Sequence, residues 1–252
     1  FVNRFVANQG IEVRWHKINF SLQKDCIGGT YSCLKFNQYL NNMKKKTEMI
    51  VVLDRSGSME SIKEATIEGY NAFLAQQKSV EGEARLSMVQ FDHEYEVVCL
   101  NRDVQTAPFL TNATYQPRGT TALLDAIGHS IHETNDRLAA GECAGRDTQV
   151  VFVIITDGHE NSSIRYDRSQ IFRLIREFEQ KKNWQFVFIG ANQDAIEEAS
   201  HLGIHESRSM TFMADKEGTK NMFFDMSVNI KEMRVEDKNF AFKESQRKKQ
   251  KR

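Results

Sequence analysis

Oxygen-bearing side chains stand at three places in this sequence, each at the end of a predicted strand or at the start of a predicted helix. They are Asp54, Ser56, Ser58, Thr121 and Asp157. The set offers two carboxylates and three hydroxyls. Hard oxygen donors suit Mg²⁺ or Mn²⁺ and disfavour zinc. With at most two formal negative charges nearby, such an ion stays electron-poor and can accept a further anionic oxygen from outside.

The elements that must position these residues follow from the hydrophobic pattern. Met49 to Leu53 and Val150 to Thr156 are continuous apolar runs, which are typical of strands buried on both faces of a parallel sheet. Strands alternate with helical patterns, so we expect an α/β fold with a doubly wound, Rossmann-like, mostly parallel sheet and helices on both faces. In such sheets ligands bind outside the carboxyl ends of the strands, where the winding reverses. The three places should therefore meet at one point.

The remaining elements complete this prediction. A very short turn at residues 92–94 joins a strand over 85–91 to one over 95–100, which requires an antiparallel hairpin and makes the latter a sheet edge. Further strands are predicted over 185–189 and 209–213. Helices are predicted over about 60–78, 122–138, 168–181, 194–202 and 216–233 from apolar residues at helical spacing.

Three motifs carry a resemblance to a known family. DRSGSM, GTTALLDAI and ITDG together resemble the von Willebrand factor type A domain and its metal-ion-dependent adhesion site, over about residues 47–202. The sequence around these motifs, TALLDAIG and TDGHEN, resembles the stand-alone bacterial or phage branch of the family. The resemblance implies that Ser56, Ser58 and Thr121 ligate directly and that Asp54 and Asp157 act largely through water. Thr120 is the alternative to Thr121.

Five further residues could line the rim of the site or support it from behind. Thr120 and Asp92 lie in the flanking turns, although solvation of the turn is the simpler role for Asp92. Asp125 is one turn into its helix, where the helix dipole favours a carboxylate in any case. His159 and Glu160 follow Asp157 and could shape the choice of partner, or could be ordinary surface residues.

Composition narrows the classes of function. Lys+Arg and Asp+Glu are equal at 34 each, so no global field attracts nucleic acid or a membrane, and we expect neither as a partner. No apolar run reaches the roughly 18 to 20 residues that span a bilayer, and no signal-peptide stretch begins the chain. We therefore expect a cytoplasmic protein. The cysteines, at 26, 33, 99 and 143, form no CxxC pair and are expected to be buried or unreactive thiols.

The chain divides into three parts on its pattern. Residues 1–42 show no sustained period and are expected to be a poorly ordered N-terminal extension, with the folded unit starting near Met43. Residues 43–213 are expected to form the type A-like domain. Residues 214–252 comprise an amphipathic helix, which either packs on the sheet or binds a partner, and a basic tail that we expect to be solvated and disordered.

These features favour a binding module over an enzyme. The sequence holds no GxSxG elbow, P-loop, HExxH or GxGxxG after a strand, so no nucleophile or general base is recognisable. We expect a Mg²⁺- or Mn²⁺-dependent protein-interaction module whose ion bridges to a carboxylate of a partner protein. The alternative is a metal-dependent hydrolase of phosphoester type that uses the same site. A third possibility is a degenerate site on a scaffold that holds partners through the C-terminal helix.

Overall fold

A six-stranded sheet carries the fold in this computed structural model, which describes residues 46–141, 148–191 and 195–250. The strands are β1 (Lys46–Asp54), β2 (Ala84–Phe91), β3 (Tyr95–Asp103), β4 (Thr148–Thr156), β5 (Gln185–Ala191) and β6 (Ser209–Phe212). They lie in the order β3-β2-β1-β4-β5-β6. Only the β2–β3 pair is antiparallel, and β3 forms an edge. This confirms the predicted fold class.

Helices cover both faces of the sheet because successive side chains of a buried strand point to opposite sides. The helices are α1 (Lys63–Lys78), α2 (Leu123–Ala139), α3 (Arg168–Lys182), α4 (Ala195–His201), α5 (Lys216–Glu236) and α6 (Glu244–Lys249). One core joins Met49, Val51 and Leu53 to α1 and α5. The other core joins Ile50 and Val52 to α2, α3 and α4.

The winding reverses between β1 and β4, the central pair of strands. From β1 the chain proceeds outward to β2 and β3, returns to β4 on the other side of β1, and then proceeds to β5 and β6. Loops that leave the carboxyl ends of β1 and β4 therefore diverge and leave a crevice between them. Asp54 ends β1, and Asp157 directly follows β4.

Several boundaries differ from the sequence-based expectation, and two of these differences have a local structural reason. The segment after β1 first forms a 3₁₀ helix, Gly57–Ile62, and α1 begins only at Lys63. The tighter turns of this 3₁₀ helix keep Ser56 and Ser58 at the crevice. Helix α1 then runs along the sheet. Strand β3 continues to Asp103 rather than ending near Leu100, because its pairing with β2 resumes after a bulge near Met88.

The C-terminal helix α5 packs against α1 and the sheet, as the packing interpretation predicted. Met222, Met226 and Ile230 are fully buried in the α1 core. Arg234 donates hydrogen bonds to the backbone oxygens of Gln77, Val80 and Gly82 and so binds the end of α1. Carbonyl groups at a helix C-terminus lack partners within the helix, and a cation there satisfies them.

The expectation of a disordered basic tail is wrong for residues 244–250. These residues form α6 and a following turn, and the Gln246 and Gln250 side chains are buried. Gln246 donates a hydrogen bond to Asn229 over 3.1 Å, and Gln250 donates one to the backbone oxygen of Gly218 over 3.2 Å. Charge composition indicated a solvated segment, but the two glutamines among the basic residues bind it to α5.

Several predictions fall on parts of the chain outside the described residues. The proposed extension at residues 1–42, three of the cysteines and the start of the helix expected from residue 194 are among them. Cys99 is described, and its thiol is buried and free. The division of the folded part at residue 213 stays a prediction. Within the described ranges, no helix combines the length and apolar character needed to cross a membrane.

Candidate metal centre

Asp54 lies at the bottom of the crevice with both carboxylate oxygens in use. The backbone N–H of Ser56 donates to Oδ1 over 2.6 Å, and the Thr156 hydroxyl donates to Oδ2 over 2.6 Å. Tyr115 donates to the backbone oxygen of Asp54 over 2.7 Å. The side chain has no solvent exposure, and this burial raises the pKa of Asp54 to about 6, although the hydrogen bonds oppose the shift.

Ser56, Ser58 and Asp157 form a chain of oxygens across the crevice. The hydroxyls of Ser56 and Ser58 lie 3.0 Å apart, and Ser58 donates to Oδ1 of Asp157 over 2.6 Å. These bonds join the loop after β1 to the loop after β4. Partial burial raises the pKa of Asp157 above its ordinary value, although the hydrogen bond from Ser58 opposes this shift. A cation placed among these atoms would take the place of the Ser58 hydroxyl hydrogen as the partner of the Asp157 carboxylate.

Thr121 brings the third hydroxyl to the same point. A β-carbon added to Gly158 would lie 3.2 Å from Oγ1 of Thr121, 3.5 Å from Oγ of Ser58 and 3.8 Å from Oγ of Ser56. Three hydroxyls from two loops thus surround the backbone after Asp157. The Thr121 side chain is buried and the neighbouring Thr120 is exposed, so the geometry favours Thr121.

The loop that delivers Thr121 is fixed to the loop after β1 by backbone contacts. Gly57 donates its N–H to the oxygen of Gly119 over 3.2 Å, and Arg118 donates to the oxygen of Arg55 over 2.8 Å. Gly119 has a φ of 66°, which favours glycine, and a β-carbon there would overlap the ring of His93. This explains why a glycine precedes the two threonines.

Asp125 and Glu160 support the site from behind rather than lining it. Asp125 accepts backbone N–H groups from Ile164, Arg165 and Tyr166 over 2.9 Å each. Glu160 reaches from the loop after β4 to the start of α2, where it accepts the N–H of Leu124 over 2.9 Å. Free N–H groups at a helix start bind carboxylates well, which explains this placement.

Asp92 is not a solvated turn residue, and that expectation is wrong. Its side chain is fully buried and accepts from Arg55 over 3.0 Å and from Arg118 over 2.9 Å. Burial alone would raise its pKa, but the two arginines and the backbone N–H of Glu94 hold the pKa of Asp92 below its ordinary value. Asp92, His93 and Glu94 offer ligand atoms within 4.8 Å of one another, yet the arginines already occupy Asp92, and we assign no ion there.

His159 is exposed. With Arg168 and Phe172 it lines a cavity of about 800 Å³ between α3 and α4. Of the five rim candidates, Thr120 and His159 are thus exposed, whereas Asp92, Asp125 and Glu160 hold the surrounding loops in place.

Sequence reasoning missed three residues that position the site. Thr156 holds Asp54, Asn161 binds the backbone of Thr121 through both its side chain (2.9 Å) and its N–H (3.1 Å), and Arg55 binds Asp92. Each of these residues lies within or close to one of the sequence motifs. The signal in the sequence that could have identified them is a polar side chain close to a candidate ligand.

The donor set fits a hard divalent cation. Two carboxylates and three hydroxyls converge, and among the described residues no cationic side chain hydrogen-bonds to the buried carboxylate of Asp54. A buried carboxylate without a positive partner is costly, and a bound cation would supply that partner. The donors number fewer than an octahedral ion requires if the aspartates act through water, which leaves room for an outside oxygen.

Comparisons with known proteins agree with this geometry. The family model for the von Willebrand factor type A domain matches residues 48–225. No curated protein sequence matches significantly. Among solved structures, proximal thread matrix protein 1 from the mussel byssus, with a zinc-occupied MIDAS motif, is 14% identical at a TM-score of 0.54, over 74% of this chain and 48% of that one.

Two other structures show the same fold. The manganese-loaded TRAP protein of Plasmodium vivax is 18% identical at a TM-score of 0.53, over 74% of both chains. The von Willebrand factor type A protein from Catenulispora acidiphila is 15% identical at a TM-score of 0.50, over 74% of this chain and 42% of that one. This chain therefore spans about half the length of the mussel protein and less of the Catenulispora one.

Type A domains as a class are metal-dependent adhesion and protein-interaction modules. The family model covers well over half of the 252 residues, including every oxygen donor of the crevice. On this match, the chain belongs to the von Willebrand factor type A domain family.

Proposed function

We propose that this chain is a Mg²⁺- or Mn²⁺-dependent protein-binding module. Its ion is held by Asp54, Ser56, Ser58, Thr121 and Asp157, and a carboxylate of a partner protein completes the coordination. One observation carries the proposal: three hydroxyls and two carboxylates from separate loops converge at the switch point of the sheet.

The choice of ion rests on the chemistry of the donors. The mussel protein holds zinc in its MIDAS motif, and the Plasmodium vivax protein is loaded with manganese. The oxygen-only set of this chain suits Mg²⁺ and Mn²⁺ better than zinc, which favours nitrogen and sulfur ligands. When bound, the ion supplies a positive centre that accepts an anionic oxygen. The protein holds the hydroxyls and Asp54 in place, so little is lost in ordering them on binding.

Binding is better supported than hydrolysis. Within the described ranges, the hydrogen-bond partners of the five residues are hydroxyl, carboxylate, amide and backbone groups, with no histidine or lysine among them. Asp54 is fully buried and engaged on both oxygens, so it is poorly placed to take a proton from a substrate. Asp157 is the remaining carboxylate of the set that could act as a base, and its Oδ1 already accepts a hydrogen bond from Ser58.

The decisive experiment compares Asp54→Ala with Asp136→Ala, which removes an exposed aspartate from α2. Mg²⁺ binding is measured by calorimetry, and partners are captured from the source cell with Mg²⁺ or with EDTA. We expect Asp54→Ala to lose Mg²⁺ binding and partner capture with its circular dichroism unchanged, and Asp136→Ala to retain both. Capture that persists unchanged in excess EDTA would refute the proposal. Mg²⁺-dependent turnover of phosphatase substrates that disappears in Asp54→Ala would favour the hydrolase.

A further inference from the structure

The loop between β4 and α3, residues 157–167, is attached to α2 along most of its length. Asp125 binds three consecutive backbone N–H groups, those of Ile164, Arg165 and Tyr166. Glu160 binds the N–H groups of Ser162 and Ser163 over 2.9 and 2.7 Å and also the start of α2. These bonds fix the backbone on both sides of residue 164.

Side-chain packing restrains the same loop further. The ring of Tyr166 lies so close to Gly128 of α2 that a β-carbon there would overlap it. Asn161 is bonded to Thr121 in both directions. The loop therefore presents one backbone conformation, and a partner that binds it pays little entropy for ordering it.

Ile164 differs from the rest of this restrained loop, because the residue is 91% exposed. The next most exposed large apolar side chain of the described residues is Phe224, at 58%, on α5. Scattered exposed apolar residues are normal on protein surfaces. Ile164 differs because the three bonds to Asp125 hold the backbone that displays it, so it cannot fold back onto the core.

The position of Ile164 connects it to the proposed metal centre. Asn161, which binds Thr121, is three residues away, and three residues span at most about 11 Å. A partner whose carboxylate reached the ion would bring the residues next to that carboxylate over this loop.

We propose that Ile164 is an apolar anchor for the partner that binds the metal centre. The partner is inferred to carry an aliphatic or aromatic side chain within a few residues of its metal-binding carboxylate. This inference rests on the proposed function. A rigid apolar group in contact with a partner is the kind of residue that dominates binding energy, and the metal fixes the register of the contact.

A displayed library of disulfide-closed random peptides with one fixed central aspartate tests this inference. Selection is made on the full chain in Mg²⁺, and the selected peptides are then measured against Ile164→Ser and Phe224→Ser. We expect apolar residues to be enriched beside the aspartate, and affinity to fall about ten- to a hundredfold in Ile164→Ser, which corresponds to loss of one buried aliphatic side chain. Phe224→Ser should bind as the unmodified chain does.

Calorimetry and sedimentation separate the possible failures. Ile164→Ser should bind Mg²⁺ with unchanged affinity, because Ile164 offers no ligand. Peptides that require both Mg²⁺ and the fixed aspartate but bind Ile164→Ser equally well would overturn the inference and leave the proposed function intact. Peptides that ignore Mg²⁺ and the aspartate yet weaken in Ile164→Ser would count against the proposed function and would also overturn this inference, because Ile164 would then contact a partner that is not bound through the metal. A dimer of the chain that dissociates in Ile164→Ser would identify a second copy as the occupant and overturn the inferred partner.

Discussion

The hydroxyl of Thr156 donates a hydrogen bond to Oδ2 of Asp54 over 2.6 Å and thereby joins the ends of the two central strands. Thr156 is the last residue of β4, and Asp54 is the last residue of β1. The bond holds the Asp54 carboxylate in one orientation. The remaining lone pairs of the carboxylate oxygens stay available to a cation. Thr156 is thus a positioning residue, since it acts on the site through Asp54.

Replacing Thr156 by valine should weaken Mg²⁺ binding without unfolding the domain. The substitution keeps the shape of the side chain and removes the donor, and loss of a residue that orients a ligand typically reduces metal affinity about 10- to 100-fold. Calorimetric titration with Mg²⁺ measures the effect. Thr156→Ser keeps the hydroxyl and should restore most of the affinity, whereas an equal loss in both variants would point to packing instead.

The pKa of Asp54 predicts a pH dependence for the metal-free protein. The folded chain raises this pKa from 3.8 to about 6, so the folded state binds the proton more tightly than the unfolded state does. Stability should therefore fall as the pH rises from about 4 to 6, by at most about 3 kcal/mol. Burial raises the pKa of Asp157 as well, which adds to the same trend.

Asp54→Asn removes the charge and tests this prediction. Urea denaturation is measured in EDTA at pH 5 and pH 7. Between these two pH values the variant should lose less stability than the unmodified chain. At pH 7 the variant should be more stable by about 1–3 kcal/mol. The order should reverse in saturating Mg²⁺, because only the unmodified chain gains stability from the ion. A variant that is less stable than the unmodified chain in EDTA at pH 7 would contradict the assignment.

Thr121→Ala and Thr120→Ala form a matched pair that tests which threonine belongs to the metal centre. Thr121 is buried beside the two serine hydroxyls, and Thr120 faces solvent. Thr121→Ala should lower Mg²⁺ affinity by at least about tenfold because one oxygen donor is lost, as for the other residues around a metal. Thr120→Ala should leave it unchanged. Equal affinities of the two variants in a Mg²⁺ titration would argue against Thr121.

Much of the fold was predictable from the sequence because its strongest signals are local. Continuous apolar runs identify β1 and β4, and a turn of three residues dictates the antiparallel hairpin. The convergence of Asp54, Thr121 and Asp157 followed from a general rule of doubly wound sheets. Their role as metal ligands remains a prediction.

The supporting residues could not be predicted because their partners are distant in sequence. Glu160 binds Leu124 across 36 residues, and Arg55 binds Asp92 across 37. No local pattern fixes such pairs, which exist only once the sheet has brought the loops together. Ordering of residues 244–250 was missed for the same reason, since Gln246 finds its partners on α5.

The buried cluster around Asp92 yields the last prediction. Asp92 has no exposure and binds both Arg55, itself nearly buried, and Arg118. Asp92→Asn leaves the Arg55 guanidinium with the half-exposed Glu96 as its remaining charged partner, so we expect a cost of about 1–3 kcal/mol, less than the roughly 3–5 kcal/mol for a buried charge that loses its partner outright. Glu94→Gln removes an exposed partner of Arg118 and should cost at most about 1 kcal/mol. Urea denaturation at pH 7 measures both.

Because Arg55 lies between Asp54 and Ser56 in the chain, Asp92→Asn should also weaken Mg²⁺ binding, and Glu94→Gln should not. Similar stabilities of the two variants would show that Asp92 is solvated in its turn after all.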